Sequence, residues 1–190
     1  IAFCERAFKV QEFLLQKQDA SLRRSILDKT IILQPSQQLH VQSMNEKQAH
    51  DKFTFSFVGV DFYRKGGQEV LLAARRLIKE GYDFELNIIS KLKKGEWKDA
   101  HIGQADFDLT AKLLEENKRY INHFPFMNNA KVIELFKRTD VMLLPSYGES
   151  YGYVVLEAQA CGTPVVTTNM PPFTEFNNNE VGWLCEVPLV

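Results

Sequence analysis

A chain of 190 residues, 45% hydrophobic and 25% charged, can bury one ordinary core but not two full domains. Its formal net charge is -1, so no global field draws it to nucleic acid or to an anionic membrane, and any anion site has to be local. Three widely spaced cysteines, Cys4, Cys161 and Cys185, suggest neither a disulfide framework nor a zinc site and fit a reducing cytosol, and no apolar run approaches the ~20 residues of a membrane span. A start at Ile1 rather than Met, and a stop just past the strand-like VGWLCEV, give the expectation of a piece of a longer cytoplasmic protein.

In chain order, Phe3, Ala7, Val10, Phe13 and Leu14 recur at helical spacing and predict an amphipathic helix over 3–17, followed by a short helix at 21–27. TIIL at 30–33, closed by Pro35, reads as a strand. Residues 36–52 are polar and aperiodic, a linker between a leading segment 1–35 and a regular region 53–190. In that region strands are predicted at 53–58, 84–90, 119–124, 141–144, 165–168 and 181–186. Helices are predicted at 68–80, stopped by Gly81, at 106–117, at 129–138, capped by Asn128 or Asn129, and at 151–161, stopped by Gly162. The strands are short apolar runs alternating with helices. That pattern predicts an α/β fold, a Rossmann-like parallel sheet covered by helices on both faces. Such sheets bind ligands beyond the carboxyl ends of their strands, which directs attention to the loops 59–67 and 145–152.

The second loop opens PSYGESYGYVVLEAQACGTPVVTT. Pro145 ends a strand, Ser150 is an N-cap candidate, and the following helix start offers free amides and a positive dipole end to a diphosphate. Gly152 allows close approach of an anion to the backbone. Glu149 precedes the helix and Glu157 lies about 10 Å along it. Two carboxylates flanking an anion-binding helix end can accept hydroxyls from both ends of a nucleoside diphosphate sugar. Either could instead be an ordinary solvated glutamate, but Glu157 stands between Leu156 and Ala158 in an apolar stretch, where a charge without a partner is costly. The first loop, VGVDFYRKGG, carries Arg64 and Lys65 before a helix. Either the pair is solvated or it binds phosphate. The loop is neither G-x-G-x-x-G nor a Walker sequence, which argues against a dinucleotide cofactor and ATP hydrolysis.

Seven residues separate Glu149 from Glu157, and ESYGYVVLEAQACGTPVV resembles the signature E-x-F/Y-G-x-x-x-x-E-A-x-A-x-G-x-P-V-V of retaining GT-B glycosyltransferases, closest to family 4 of their classification. The resemblance implies that Glu149 holds hydroxyls of the donor sugar, that Glu157 binds the ribose, and that the amides of Ser150, Tyr151, Gly152 and Tyr153 meet sugar and phosphates. Relatives often carry an Arg after the strand glycine, here Gly59, and a Lys before a later glycine. Lys65–Gly66 matches the second element, while Val60 replaces the Arg and leaves Arg64 to supply that charge. Glu149, Lys65 and Arg64 are the catalytic candidates on this reading. HFPFMNNAKVIELFKRTDVMLLPS resembles the segment cradling the base, which puts Phe124, Pro125 and Phe126 beside it unless the two phenylalanines are simply core. His123 is expected to be structural and Cys161 to pack. His40, His50 and His101 show no partner, and Lys91, Lys93 and Lys94 read as a solvated loop or as one bordering the donor.

The likeness covers about 53–188 and implies the donor-binding half of a two-domain enzyme. Residues 1–35 would be the end of the acceptor domain, most of which is absent together with the last helix. Expected partners are a nucleotide-sugar donor and, through the missing domain, a glycan or lipid-linked acceptor and any peripheral membrane contact. No nucleic acid, metal or other cofactor is expected. Such a fragment would bind donor and transfer poorly alone. The alternatives are a non-catalytic GT-B-like scaffold, which Val60 favours, and a sugar-nucleotide epimerase-like domain.

Overall fold

The computed structural model describes residues 1–43, 46, 47, 49–93 and 102–187. Its strands are β1 (Phe53–Val58), β2 (Phe84–Ile89), β3 (Ile121–Phe124), β4 (Val141–Leu144), β5 (Val165–Thr168) and β6 (Gly182–Cys185). They form one six-stranded sheet in the order β3-β2-β1-β4-β5-β6, parallel at every pairing. Helices α3 (Gly67–Lys79) and α4 (Gln104–Glu116) connect the strands on one side of the order reversal. Helices α5 (Asn129–Phe136) and α6 (Tyr153–Ala160) make the connections that carry the chain to the other side. Right-handed crossovers place the first pair on one face of the sheet and the second on the other, and within each pair the helices touch. The expected Rossmann-like α/β fold is what forms.

The apolar runs that predicted the strands are the middle of the core. Phe57, Leu86, Ile88, Met142, Leu144 and Val165 are buried between Val70, Leu71 and Ala74 of α3 and Val155 and Ala158 of α6. The reversal lies between β1 and β4, which pair at Phe55 with Val141 and at Ser56 with Met142. Their C-terminal ends therefore open side by side, and the two loops singled out in the sequence follow from them.

Three expectations about the local structure are corrected. Helix α6 begins at Tyr153, and its N-cap is Gly152 in the left-handed region (φ 90, ψ 46), not Ser150. The tight turn demanded there is one an L side chain resists. TIIL at 30–33 is no strand of the sheet. It makes a single parallel bridge, Ala2 donating to the Ile31 carbonyl and Leu33 to the Ala2 carbonyl, each at 2.8 Å. The bridge stops at one rung because its partner runs straight into helix α1 (Glu5–Leu15). Finally, the 36–52 segment is fastened down. The His40 and Val41 amides donate to the Ala160 carbonyl, Lys47 Nζ donates to the Thr139 and Gly162 carbonyls and to Thr163 Oγ1, and His50 Nε2 meets Asp140 Oδ2 at 2.6 Å. His50 thus has the partner that its sequence surroundings hid.

Helix α2 (Ala20–Leu27) starts at an Asp19 cap whose carboxylate accepts from the Ser21 and Leu22 amides. Helix α1 buries none of its residues, although the Glu175 carboxylate accepts from the Glu5 and Arg6 amides at 2.8 and 3.0 Å and fastens its N-terminus to the domain. Lys94 and His101 lie outside the described residues; Lys93 forms an isolated bridge with Asp61. No helix among the described residues is long and apolar enough to cross a membrane.

Candidate functional site

A cavity of about 590 Å³ opens at the carboxyl ends of β1 and β4. Its lining includes Gly59, Lys65, Glu149, Gly152, Tyr153 and Glu157, which come from both loops and from α6.

Lys65 and Glu149 are 84 positions apart in sequence, yet Nζ donates to both carboxylate oxygens, at 2.6 and 2.8 Å. Their side chains are only 13% and 6% exposed. The lysine stem runs past Gly59, where an added Cβ would stand 2.6 Å from Lys65 Cδ. A glycine at the end of β1 thus makes room for the cation to reach across to the β4 loop. Arg64 serves that same loop differently. Its Nε donates to Asp61 Oδ2 at 2.8 Å, its Nη1 donates to the Gly148 carbonyl, and its own carbonyl accepts from the Tyr147 amide at 2.9 Å. The guanidinium is thereby held as a clamp between the two loops while it lines the cavity. Val60, in the position where relatives often carry Arg, is 75% exposed.

At the start of α6 the Val155 amide bonds the Gly152 carbonyl. Among the described residues the amides of 150–154 donate to no backbone acceptor. Those of Tyr153 and Val154 are the orphan donors of the helix start, and Ser150, Gly152, Tyr153 and Val154 line the cavity. A Cβ on Gly152 would lie 2.7 Å from the Phe173 ring, so the turn is closed against the core. Tyr151 turns inward: it is 3% exposed, with its ring 5.1 Å from that of Tyr153 and 5.2 Å from that of Phe176. Of the residues singled out in this turn, Tyr151 can therefore offer a ligand only its backbone. Burial pushes its phenol pKa up, with smaller contributions from Cys4 and Glu175.

Glu157 is half-buried and has the partner its apolar neighbourhood requires, Asn129 Nδ2 at 2.9 Å. Asn129, the first residue of α5, also lines the cavity. The sequence offered it only as a possible cap, and the cap is Asn128. Phe126 is 75% exposed and lines the cavity with Pro125 and Met127, so it is not core. Phe124, 38% exposed, is not core either, but it is removed from this cleft. It lines a separate cavity of about 640 Å³ with Lys52, Asn87, Lys131 and Arg138. β3 ends at Phe124, so Phe126, past the bend at Pro125, is no longer held to the strand's alternation. His123 is structural as expected, its Nε2 lying 2.8 Å from the Ser90 carbonyl. Cys161 is fully buried, and burial pushes its thiol up to about 11. Among the described residues no group of three or more His, Cys, Asp or Glu is gathered in a way that could hold a metal ion.

A parallel sheet with this strand order, with a cleft opening at the reversal, defines a Rossmann-like domain of the kind that builds GT-B enzymes. The chain belongs to the family of glycosyl transferases group 1, which matches residues 41–190. It is 35% identical over 123 residues to a D-inositol 3-phosphate glycosyltransferase of Arthrobacter sp. (strain FB24), an alignment covering 63% of this chain and 27% of that one. Among solved structures, the apo lipopolysaccharide outer core galactosyltransferase WaaB superposes with a TM-score of 0.65 at 15% identity, over 97% of this chain and 47% of that one. Anabaena HepE, in complex with UDP and glucose, superposes with a TM-score of 0.63 at 15% identity, over 97% of this chain and 48% of that one. The chain thus spans about a quarter of the curated relative and about half of each solved structure.

Proposed function

We propose that this chain is the donor-binding half of a retaining glycosyltransferase of family 4 type, one that moves a hexose from a nucleoside diphosphate sugar to an acceptor hydroxyl. The observation that carries the reading is the meeting of Lys65, Glu149, the start of α6 and Glu157 around one cleft. In this reading the free amides at the start of α6 and the Lys65 ammonium receive the diphosphate and stabilise it as it leaves, with no metal ion required. Glu157, oriented by Asn129, accepts the ribose hydroxyls, and Glu149 accepts hydroxyls of the sugar. Phe126 and Pro125 flank the base. Arg64 acts by holding the two loops together rather than by taking the place of the arginine missing at Val60. The acceptor, glycan or lipid-linked, would be bound by protein beyond this chain, in the cytoplasm or at a membrane face, and transfer by this chain alone would be poor.

A thermal-shift panel of UDP, GDP, ADP and their hexose conjugates tests the proposal. At a nucleotide concentration 100 times Kd the stabilisation is about 2.7 kcal/mol, a rise of roughly 5–11 °C for a chain of this size. Glu157→Ala should abolish the rise. The absence of any shift with all three nucleotides would defeat the reading. It would favour a non-catalytic scaffold, which has in its support the exposed Val60.

A further inference from the structure

Both oxygens of Glu149 are engaged by Lys65 Nζ, and the pair is almost fully enclosed. The cation that would receive a diphosphate is already neutralised from within the protein, so a diphosphate reaches it only in competition with Glu149. We propose that Glu149 is a specificity-determining counter-anion, setting the cleft against free nucleoside diphosphate and inorganic pyrophosphate and in favour of the sugar-loaded nucleotide. The inference rests on the donor-binding reading above.

The argument is one of replacement partners. A carboxylate this enclosed, once separated from Lys65, needs new donors or it becomes a buried, unpaired charge. The protein has little else to offer it. Arg64, the other cation of the loop, is held by Asp61 and by the Gly148 carbonyl. The unpaired amides of 150–154 are, in the donor-binding reading, taken up by the diphosphate itself. A sugar on the terminal phosphate brings hydroxyl donors to Glu149, and its ester linkage removes one negative charge from that phosphate. A spent nucleotide brings no hydroxyl on that side and one more negative charge, facing the displaced carboxylate. The exchange of Lys65 from carboxylate to phosphate is therefore compensated for the donor and uncompensated for the product. Glu149 would hasten departure of the spent nucleotide and lessen its inhibition.

The test is the dissociation constant of inorganic pyrophosphate, UDP, GDP, ADP, UDP-glucose, GDP-mannose and ADP-glucose for the wild-type chain, Glu149→Gln and Glu149→Asp, by calorimetry. Glu149→Gln is expected to bind pyrophosphate and the preferred nucleoside diphosphate about tenfold more tightly than wild type while binding the matching nucleotide sugar more weakly, a combined change well above the 1.4 kcal/mol that tenfold represents. Glu149→Asp keeps the charge but withdraws it by one methylene, so its changes should be smaller with the same signs. It carries the test if the glutamine variant does not fold. A wild type that binds nucleotides, with variants that bind nucleoside diphosphate no better, overturns this inference and leaves donor binding standing. Failure of wild type and both variants to bind any nucleotide overturns donor binding itself, and this inference with it.

Discussion

Gly66→Ala should destabilise the chain by about 3 kcal/mol, and the reason lies in the stacking of the two cleft loops. Gly66 adopts φ 75, a left-handed conformation that costs an L residue about 1–2 kcal/mol. A Cβ there would also stand 2.2 Å from the Pro145 carbonyl oxygen, 2.8 Å from Pro145 Cγ and 2.9 Å from its carbonyl carbon, where ordinary contact begins at 3.4 Å. Two of the three atoms are backbone, so no side-chain rotation relieves the overlap, and the loops must part by about 1 Å at a typical overpacking cost of ~1–3 kcal/mol. At roughly 2–4 °C per kcal/mol for a chain of this size, the melting temperature falls by about 6–12 °C. Gly81→Ala is the control. It has φ 87 and nothing within 4 Å of the added carbon, so only the conformational cost applies, about 1 kcal/mol or ~2–4 °C. Scanning calorimetry on the two variants separates strain from collision. Equal losses would refute the claim that the β1 and β4 loops are in contact at this point. Because Lys65 precedes Gly66 and Glu149 follows Pro145 by four residues, Gly66→Ala should also weaken nucleotide binding, whereas Gly81→Ala should not.

Lys47→Met removes the ammonium that bonds the Thr139 and Gly162 carbonyls and Thr163 Oγ1. It should cost about 2 kcal/mol, read as a fall of about 1 M in the urea midpoint. Burial lowers the Lys47 pKa, and the same burial lets an apolar replacement recover part of the loss in packing. Glu175→Ala takes the carboxylate from the first amides of α1, and limited trypsin digestion should then cut at Arg6 and Lys9 several times faster while the rest of the chain resists. At Asp140, burial pushes the carboxyl pKa up, but the His50 hydrogen bond and the Thr54 amide outweigh it and hold it below its ordinary 3.8. A group depressed in the folded state contributes stability above its unfolded value and loses it as pH falls through the folded one. Acidification below 3.8 should therefore destabilise wild type more steeply than Asp140→Asn, measured by urea unfolding between pH 6 and 2.5. Parallel curves for the two proteins would refute it.

Much of this molecule could be read without coordinates. Short apolar runs punctuated by Gly81 and Gly162 predicted all six strands to within two residues and placed helices α3, α4, α5 and α6. Those signals are legible because helix and strand periodicity is written in consecutive residues. The spacing of Glu149 and Glu157 is equally local, lying in one turn and one helix, and it pointed to the cleft.

What the sequence could not decide depends on which strands become neighbours. Lys65 follows β1 and Glu149 follows β4, and they pair only because the strand order reverses between those two strands. The same reversal turns Arg64 from a candidate phosphate ligand into a clamp on Gly148, and the packing of α5 against α6 brings Asn129 to Glu157. Phe124 and Phe126 read alike in sequence, but β3 ends at Phe124 and the bend at Pro125 sends Phe126 to the other cavity. The polar segment before β1 read as an aperiodic linker because its holdfasts, Thr139, Asp140 and Gly162, lie about 90 or more residues further on. Local pattern determined the elements and nominated the carboxylates. The order of strands in the sheet, a property no single stretch of chain contains, decided which charges meet.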